Sequence, residues 1–386
     1  MEYTFGMLRT LSRRELLVGA AATRLIAAEK EFLVYWGTYT AGGPRYGTGE
    51  SKGIYVSRLD AVTGKLTPPT LAAETANPSY LAIHPSRKFL YSVNEHIEMT
   101  GKAMGEVSAF AIDQSTGKLR ELNRVPSRGG MPCHVAVDQT GHVLAAANWA
   151  TGSVATFAIR SDGSLSEAVG FNQHVAEPPV QVHCHAVVFS RDNRFLIETD
   201  TGLNSIFVHL LDAKTAVITP HQPGSVRLQN PANPRHLVFH PNGKWAYVAN
   251  EAGPGCTMLG YDPAKGTFEE VGVTRTVPAD YQGRTTPAEA VMHPSGRYVL
   301  ISNRGHESIA VLRIDATDGS LTLVEAFQPG GTGARSFNVD PTGQWLFALM
   351  QRSNNIFPLR FDIETGKLSR QSDPIPLPAP VCAKFV

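Results

Sequence analysis

The feature that most constrains this chain is an internal repeat of about fifty residues, because a repeated unit that cannot bury its own apolar face has to stack against its neighbours. Six segments read as an apolar strand, a polar turn and a second apolar strand: residues 77–95, 131–148, 183–200, 233–251, 286–304 and 333–351. Aligned on the turn, they bring Pro85, Gln139, Arg191, Pro241, Pro294 and Pro341 into register. Each unit continues into a third strand of alternating pattern. Turns such as Ser115-Thr116-Gly117-Lys118 and Ser161-Asp162-Gly163-Ser164 then lead into a fourth. Four short strands joined by Gly-containing turns describe one blade of a β-propeller.

The unit count closes at seven. The N-terminal stretch supplies a second strand (32–39), a third (53–60) and a fourth after Thr63-Gly64-Lys65-Leu66, but no first strand. The C-terminal run from Pro380 to Val386 reads as the missing one, with Pro380 standing where Pro78 stands in the next unit. The pattern therefore predicts an all-β fold: a seven-bladed β-propeller with four antiparallel strands per blade, closed by a blade shared between the two ends. Closure of this kind leaves no free sheet edge. Residues 31–386 form a single propeller in this reading.

Composition agrees with a turn-rich fold and limits the partners. The chain has 386 residues, among them 35 glycines and 26 prolines, and 35 Lys+Arg against 34 Asp+Glu. A formal net charge of +1 provides no global field for nucleic acid or an anionic membrane, although a local cluster can still bind an anion. Residues 1–30 stand apart from the repeat. Ser12-Arg13-Arg14-Glu15-Leu16-Leu17 followed by an apolar run ending at Ala27-Ala28 has the pattern of a twin-arginine export signal. The expected location is periplasmic or secreted, or cytoplasmic if that stretch is only a basic N-terminus. After its removal no membrane attachment and a monomer are expected. Cys133, Cys184, Cys256 and Cys382 make no CxxC motif and no disulfide framework.

Departures from repeat symmetry beside the central channel point to a site. Six residues before the aligned turn stand Ser79, Cys133, His185, Arg235, Ala288, Arg335 and Val381, and the next position holds Tyr80, His134, Ala186, His236, Glu289, Ser336 and Cys382. Unlike polar and charged residues at equivalent strand entrances are hard to explain by packing, since buried unpaired charge is costly. The ends of the second strands add Glu95, Asn148, Asp200, Glu251 and Arg304, expected at the same channel mouth because the first two strands of a blade are antiparallel neighbours. Arg235, Arg304 and Arg335 suit an anion held by guanidinium groups, and His185, Glu251 and Glu289 are candidate acid–base groups. His183-Cys184-His185 could suggest a metal, but no further ligand pattern accompanies it and none is expected. His84, His240 and His293 recur in the turn and read as structural, as do Trp36, Trp245 and Trp345 in second strands.

The combination Trp36-Gly37-Thr38-Tyr39-Thr40, Asn77-Pro78-Ser79-Tyr80-Leu81, Asn233-Pro234-Arg235-His236-Leu237 with Val248-Ala249-Asn250-Glu251, and Ser302-Asn303-Arg304-Gly305 resembles the seven-bladed lactonase family. That family includes bacterial propeller-type 6-phosphogluconolactonases and fungal carboxymuconate lactonizing enzymes. The resemblance implies a lactonase acting on a small anionic sugar-type lactone, phosphorylated or not, with no cofactor. It implies His185, Arg235, Glu251 and Arg335 as catalytic residues, and leaves Arg304, Glu289, His183 and His134 as substrate-binding candidates. Which of His185 and Glu251 is the base stays open at this point. So does a second reading, a non-catalytic exported propeller that binds an anionic ligand or a partner protein.

Overall fold

The computed structural model describes residues 30–95, 104–229, 232–253 and 255–386. The expected export signal lies outside the described residues except for Lys30. No helix of the described residues is long and apolar enough to cross a membrane.

The described strands form seven principal antiparallel sheets, each containing four consecutive neighbours, arranged as the repeat predicts. In blade 1 the C-terminal strand Pro380–Phe385 pairs with Glu31–Thr38, followed by Gly53–Asp60 and Thr70–Glu74. Blades 2 to 7 begin with the strands Leu81–Ile83, Pro132–Val137, Cys184–Phe189, Pro234–Phe239, Thr286–Met292 and Ala334–Val339. Blade 7 carries one addition, the short strand Ile375–Pro376 paired to its third strand. The second strands are buried on both faces, as in Trp345–Met350 and Val143–Asn148, which is why they read as continuous apolar runs.

Contacts between blades explain two of the repeated motifs. His84, His240 and His293 each bring Nε2 to 2.9 Å from the carbonyl of a turn glycine in the following blade, Gly141, Gly296 and Gly343 respectively. The turn before the fourth strand packs on an aromatic or apolar side chain of the preceding blade. At Gly64 and Gly319 a Cβ would fall 2.5 Å from the rings of Trp345 and Trp245, and both residues sit at positive φ, so glycine is required on two counts. Trp345 also donates from Nε1 to the carbonyl of Ala61, 2.8 Å away across the closing junction. The structural reading of these histidines and of Trp245 and Trp345 therefore has a direct geometric basis. All four cysteines are free and buried.

A buried polar knot joins blade 4 to His174, the residue that follows the last strand of blade 3, Leu165–Gln173. His174 lies 2.6 Å from Asp200 Oδ2 and 3.0 Å from Glu198 Oε1, His209 also contacts Glu198, and the Cys184 thiol is 3.1 Å from Glu198 Oε2. Burial alone would lower the proton affinity of His174, but the Glu198 and Asp200 carboxylates overcome it and raise its pKa from 6.5 to about 10. A raised folded-state pKa stabilises fully below the unfolded value and loses that contribution as pH rises through the folded one. The parent should therefore exceed His174→Gln in stability by on the order of a few kcal/mol near neutrality. That gap should narrow between pH 6.5 and about 10, as measured by paired denaturant titrations across this range.

Candidate active site

A cavity of about 480 Å³ opens at the channel mouth where first strands begin and second strands end. Six arginines (Arg45, Arg235, Arg284, Arg304, Arg335, Arg352) and three glutamates (Glu95, Glu251, Glu307) line it, together with His185, Cys133, Tyr39, Trp149 and Gln351. The local balance is strongly cationic although the whole chain carries only +1.

Two carboxylates organise the central guanidinium groups. Arg304 Nη2 donates to Glu251 Oε1 at 2.5 Å, and Arg235 Nε lies 3.9 Å from Glu251 Oε2. Burial by itself would raise the Glu251 pKa, but Arg235 and Arg304 hold it below the usual carboxylate value, so Glu251 is ionised at neutral pH. On the other side, Arg335 Nη2 donates to the Tyr39 hydroxyl at 2.9 Å, and that hydroxyl donates to Glu95 Oε2 at 2.8 Å. Ser79 donates to the same oxygen at 2.6 Å. Arg335 is thus fixed through Tyr39 to a buried carboxylate, its guanidinium 5.4 Å from the ring centroid.

His185 is buried and, among the described residues, makes no hydrogen bond to a charged group, its Nδ1 lying 3.8 Å from the Cys133 sulfur. Burial, then the charge of Arg235 and the other surrounding cations, push its proton affinity well below the ordinary 6.5. The imidazole is therefore neutral at neutral pH and available to accept a proton. Cys133 is unsuited to nucleophilic attack, because burial raises its thiol pKa and disfavours the thiolate.

Of the sequence candidates, the structure brings His185, Arg235, Glu251, Arg304 and Arg335 into one cavity. It places three elsewhere. Glu289 lies deeper in the channel, beside a void of about 10 Å³, where it accepts from His236 at 2.6 Å and from Ser336 at 2.9 Å. His134 stacks on Tyr80 with ring centroids 4.1 Å apart and lines a separate, mostly apolar recess that also contains Lys384. His183 stacks on Trp149 at 4.1 Å and, unlike His185 two residues on, does not line the cavity. A register shift between Cys184 and Ala186 breaks the alternation that would have put both on one face. Among the described residues no group of three or more His, Cys, Asp or Glu is arranged to hold a metal.

Asn148 and Asp200 do not line the cavity. They occupy the last strand position, equivalent to Asn94, Asn250 and Asn303, while the cavity receives the residue after it. A shift of one position in a strand turns a side chain to the opposite face. Asn148 instead donates to the carbonyl of Ser127, and Asp200 accepts from the backbone amides of Gly202 and Leu203. The following position, read through all seven blades, holds Tyr39, Glu95, Trp149, Thr201, Glu251, Arg304 and Gln351, and all but Thr201 line the cavity. That alignment is the signal by which Tyr39, Trp149 and Gln351 could have been found. Arg45 had no such signal. It sits between the two-residue strands Gly42–Gly43 and Gly47–Thr48, its backbone carbonyl accepts from Gln351, and its guanidinium lies 4.9 Å from the Trp149 ring.

Residues 33–385 match the family described as the seven-bladed β-propeller lactonases. A 6-phosphogluconolactonase of Bacillus subtilis is 33% identical over 360 residues, covering 92% of this chain and 99% of that protein. One from Formosa agariphila is 30% identical over 333 residues, covering 82% and 91%. Among solved structures, the periplasmic gluconolactonase of Pseudomonas aeruginosa superposes with a TM-score of 0.85 at 28% identity, covering 92% of this chain and 99% of that one.

Proposed function

The chain belongs to the seven-bladed β-propeller lactonase family, and we propose that it hydrolyses a small anionic sugar lactone in the arginine-rich cavity. The single observation that carries this reading is the buried imidazole of His185 set in one cavity with guanidinium groups that carboxylates hold in place. Arg235 and Arg335 hold the substrate and stabilise negative charge as it develops on the carbonyl oxygen. His185 takes a proton from water as its oxygen bonds to the lactone carbon. The ring C–O bond then breaks, and the imidazolium returns the proton to the leaving alkoxide. The product carboxylic acid ionises, so each turnover releases one proton to the medium.

The anion itself tunes the base. The cations around His185 depress its basicity in the empty cavity, and a bound negative group offsets part of that repulsion. His185 then becomes a better base when substrate is present. Glu251 stays ionised and holds Arg304 by a direct hydrogen bond, and we assign it that positioning role and His185 the role of base. Arg45, Arg284 and Arg352 are exposed, line the outer cavity and have no carboxylate within 4.0 Å among the described residues, so they are placed to take a distal phosphate. Family relatives named for a phosphorylated lactone support this substrate class, and the periplasmic gluconolactonase supports an exported location consistent with the Arg13-Arg14 motif.

One assay tests both parts. Acid release at constant pH should be faster with 6-phosphogluconolactone than with unphosphorylated gluconolactone, and Arg284→Ala with Arg352→Ala should raise KM for the phosphorylated substrate about tenfold. The same assay on fractions of cells expressing the whole chain should place activity in the periplasm. Equal turnover of both lactones would remove the phosphate from the proposal. No acid release from either, with saturable anion binding, would restore the non-catalytic reading.

A further inference from the structure

We infer that Glu289 and His236 are positioning residues that fix the rotation of Arg235, so that the Nε–Nη2 edge of its guanidinium is left unbonded for two oxygen atoms. This inference rests on the proposed lactonase reading but concerns residues outside the cavity lining. Arg235 is 3% exposed, and its Nη1 is tied twice: 2.7 Å from the carbonyl of Ala288 and 3.1 Å from His236 Nε2. Its Nε has no hydrogen-bond partner, and no partner is found for Nη2 among the described residues. The Nε and Nη2 hydrogens of a guanidinium point the same way, making the fork that grips two oxygens side by side. The tie on Nη1 therefore leaves the gripping edge unbonded, with the buried Nε 3.9 Å from Glu251 Oε2, beyond a direct hydrogen bond.

The tie requires one state of His236. Its Nε2 must carry a lone pair to accept from Arg235, so the proton has to be on Nδ1, and Nδ1 lies 2.6 Å from Glu289 Oε1. The other oxygen of Glu289 accepts from Ser336 at 2.9 Å, which holds the carboxylate in place. A carboxylate on Nδ1 and a guanidinium on Nε2 allow no other tautomer of the neutral ring. His236 is itself held by edge contacts with His134 and His185, at ring-centroid distances of 5.1 and 5.3 Å. A second proton on the ring would set two donors and two cations against each other at Arg235.

A double-mutant cycle on kcat/KM tests this. His236→Leu should lower kcat/KM for lactone hydrolysis about ten- to a hundredfold in the parent and add almost nothing in an Arg235→Ala background, because the effect passes through Arg235. His236→Gln, whose amide oxygen can reach the position of Nε2, should recover most of the loss. Melting temperatures of all variants separate these effects from misfolding. Additive losses in the cycle, or equal loss in the Leu and Gln variants at equal stability, would overturn the inference. Calorimetric titration with 6-phosphogluconate repeats the cycle without turnover. If the parent hydrolyses no lactone, the proposed function fails, yet non-additive loss of 6-phosphogluconate affinity still supports the positioning role and additive loss or unchanged affinity overturns it.

Discussion

His185→Gln is expected to lower kcat for lactone hydrolysis by about a thousandfold while KM changes little, since general-base catalysis contributes on the order of a hundred- to ten-thousandfold and the imidazole is absent from the anion-holding set. Gln keeps a polar group of similar reach in a site that is only 5% exposed, so the cavity should keep its shape. Glu251→Gln should behave differently. It removes the charge that pairs with Arg304 at 2.5 Å and faces Arg235, so kcat should fall and KM rise together, each by about tenfold. Steady-state acid release by the two variants separates the roles. If Glu251→Gln abolishes turnover at unchanged KM while His185→Gln stays active, then Glu251 is the base.

The second large effect concerns closure of the ring. A chain ended at Ala379 lacks the strand that pairs with Glu31–Thr38, and the buried residues Phe32, Leu33, Val34, Tyr35 and Trp36 would then lie on an open sheet edge. Long apolar edges of this kind recruit other chains. The truncated protein should lose its cooperative melting transition and elute as aggregate in size-exclusion chromatography. Placing residues 380–386 ahead of Glu31 through a short turn should restore a cooperatively melting protein that elutes where the parent does. The geometry favours that permutation, because Val386 and Leu33 already exchange backbone hydrogen bonds at 2.9 and 3.1 Å. A truncated chain that melts at the parent's temperature would show that the shared blade is dispensable.

The architecture was legible because it is repeated. Strand length, turn chemistry and apolar alternation recur often enough that an error in one unit is corrected by the others. The count of blades and the pairing of Pro380–Phe385 with the N-terminal strand follow from that repetition. Seven of the cavity residues were legible for the opposite reason: Glu95, Cys133, His185, Arg235, Glu251, Arg304 and Arg335 break the symmetry at positions where packing would be served by like residues. The same reasoning went astray wherever the result depended on a single step along a strand. Asn148 and Asp200 were read one position early, and His183 was grouped with His185 across a local register shift.

What the sequence determined by itself is which positions approach the channel, since strand period and repeat alignment are properties of the chain. Only the tertiary structure decided how deep each side chain lies and which partner it meets. Those outcomes depend on atoms contributed by different blades. Glu289 and Arg235 occupy neighbouring slots of the alignment, yet one is sealed beneath the cavity against His236 while the other opens into it. Hydrogen-bond and charge interactions act over a few ångströms, whereas several of the pairs that make this site join residues from different blades, 53 apart for Arg304 and Glu251 and 296 apart for Arg335 and Tyr39.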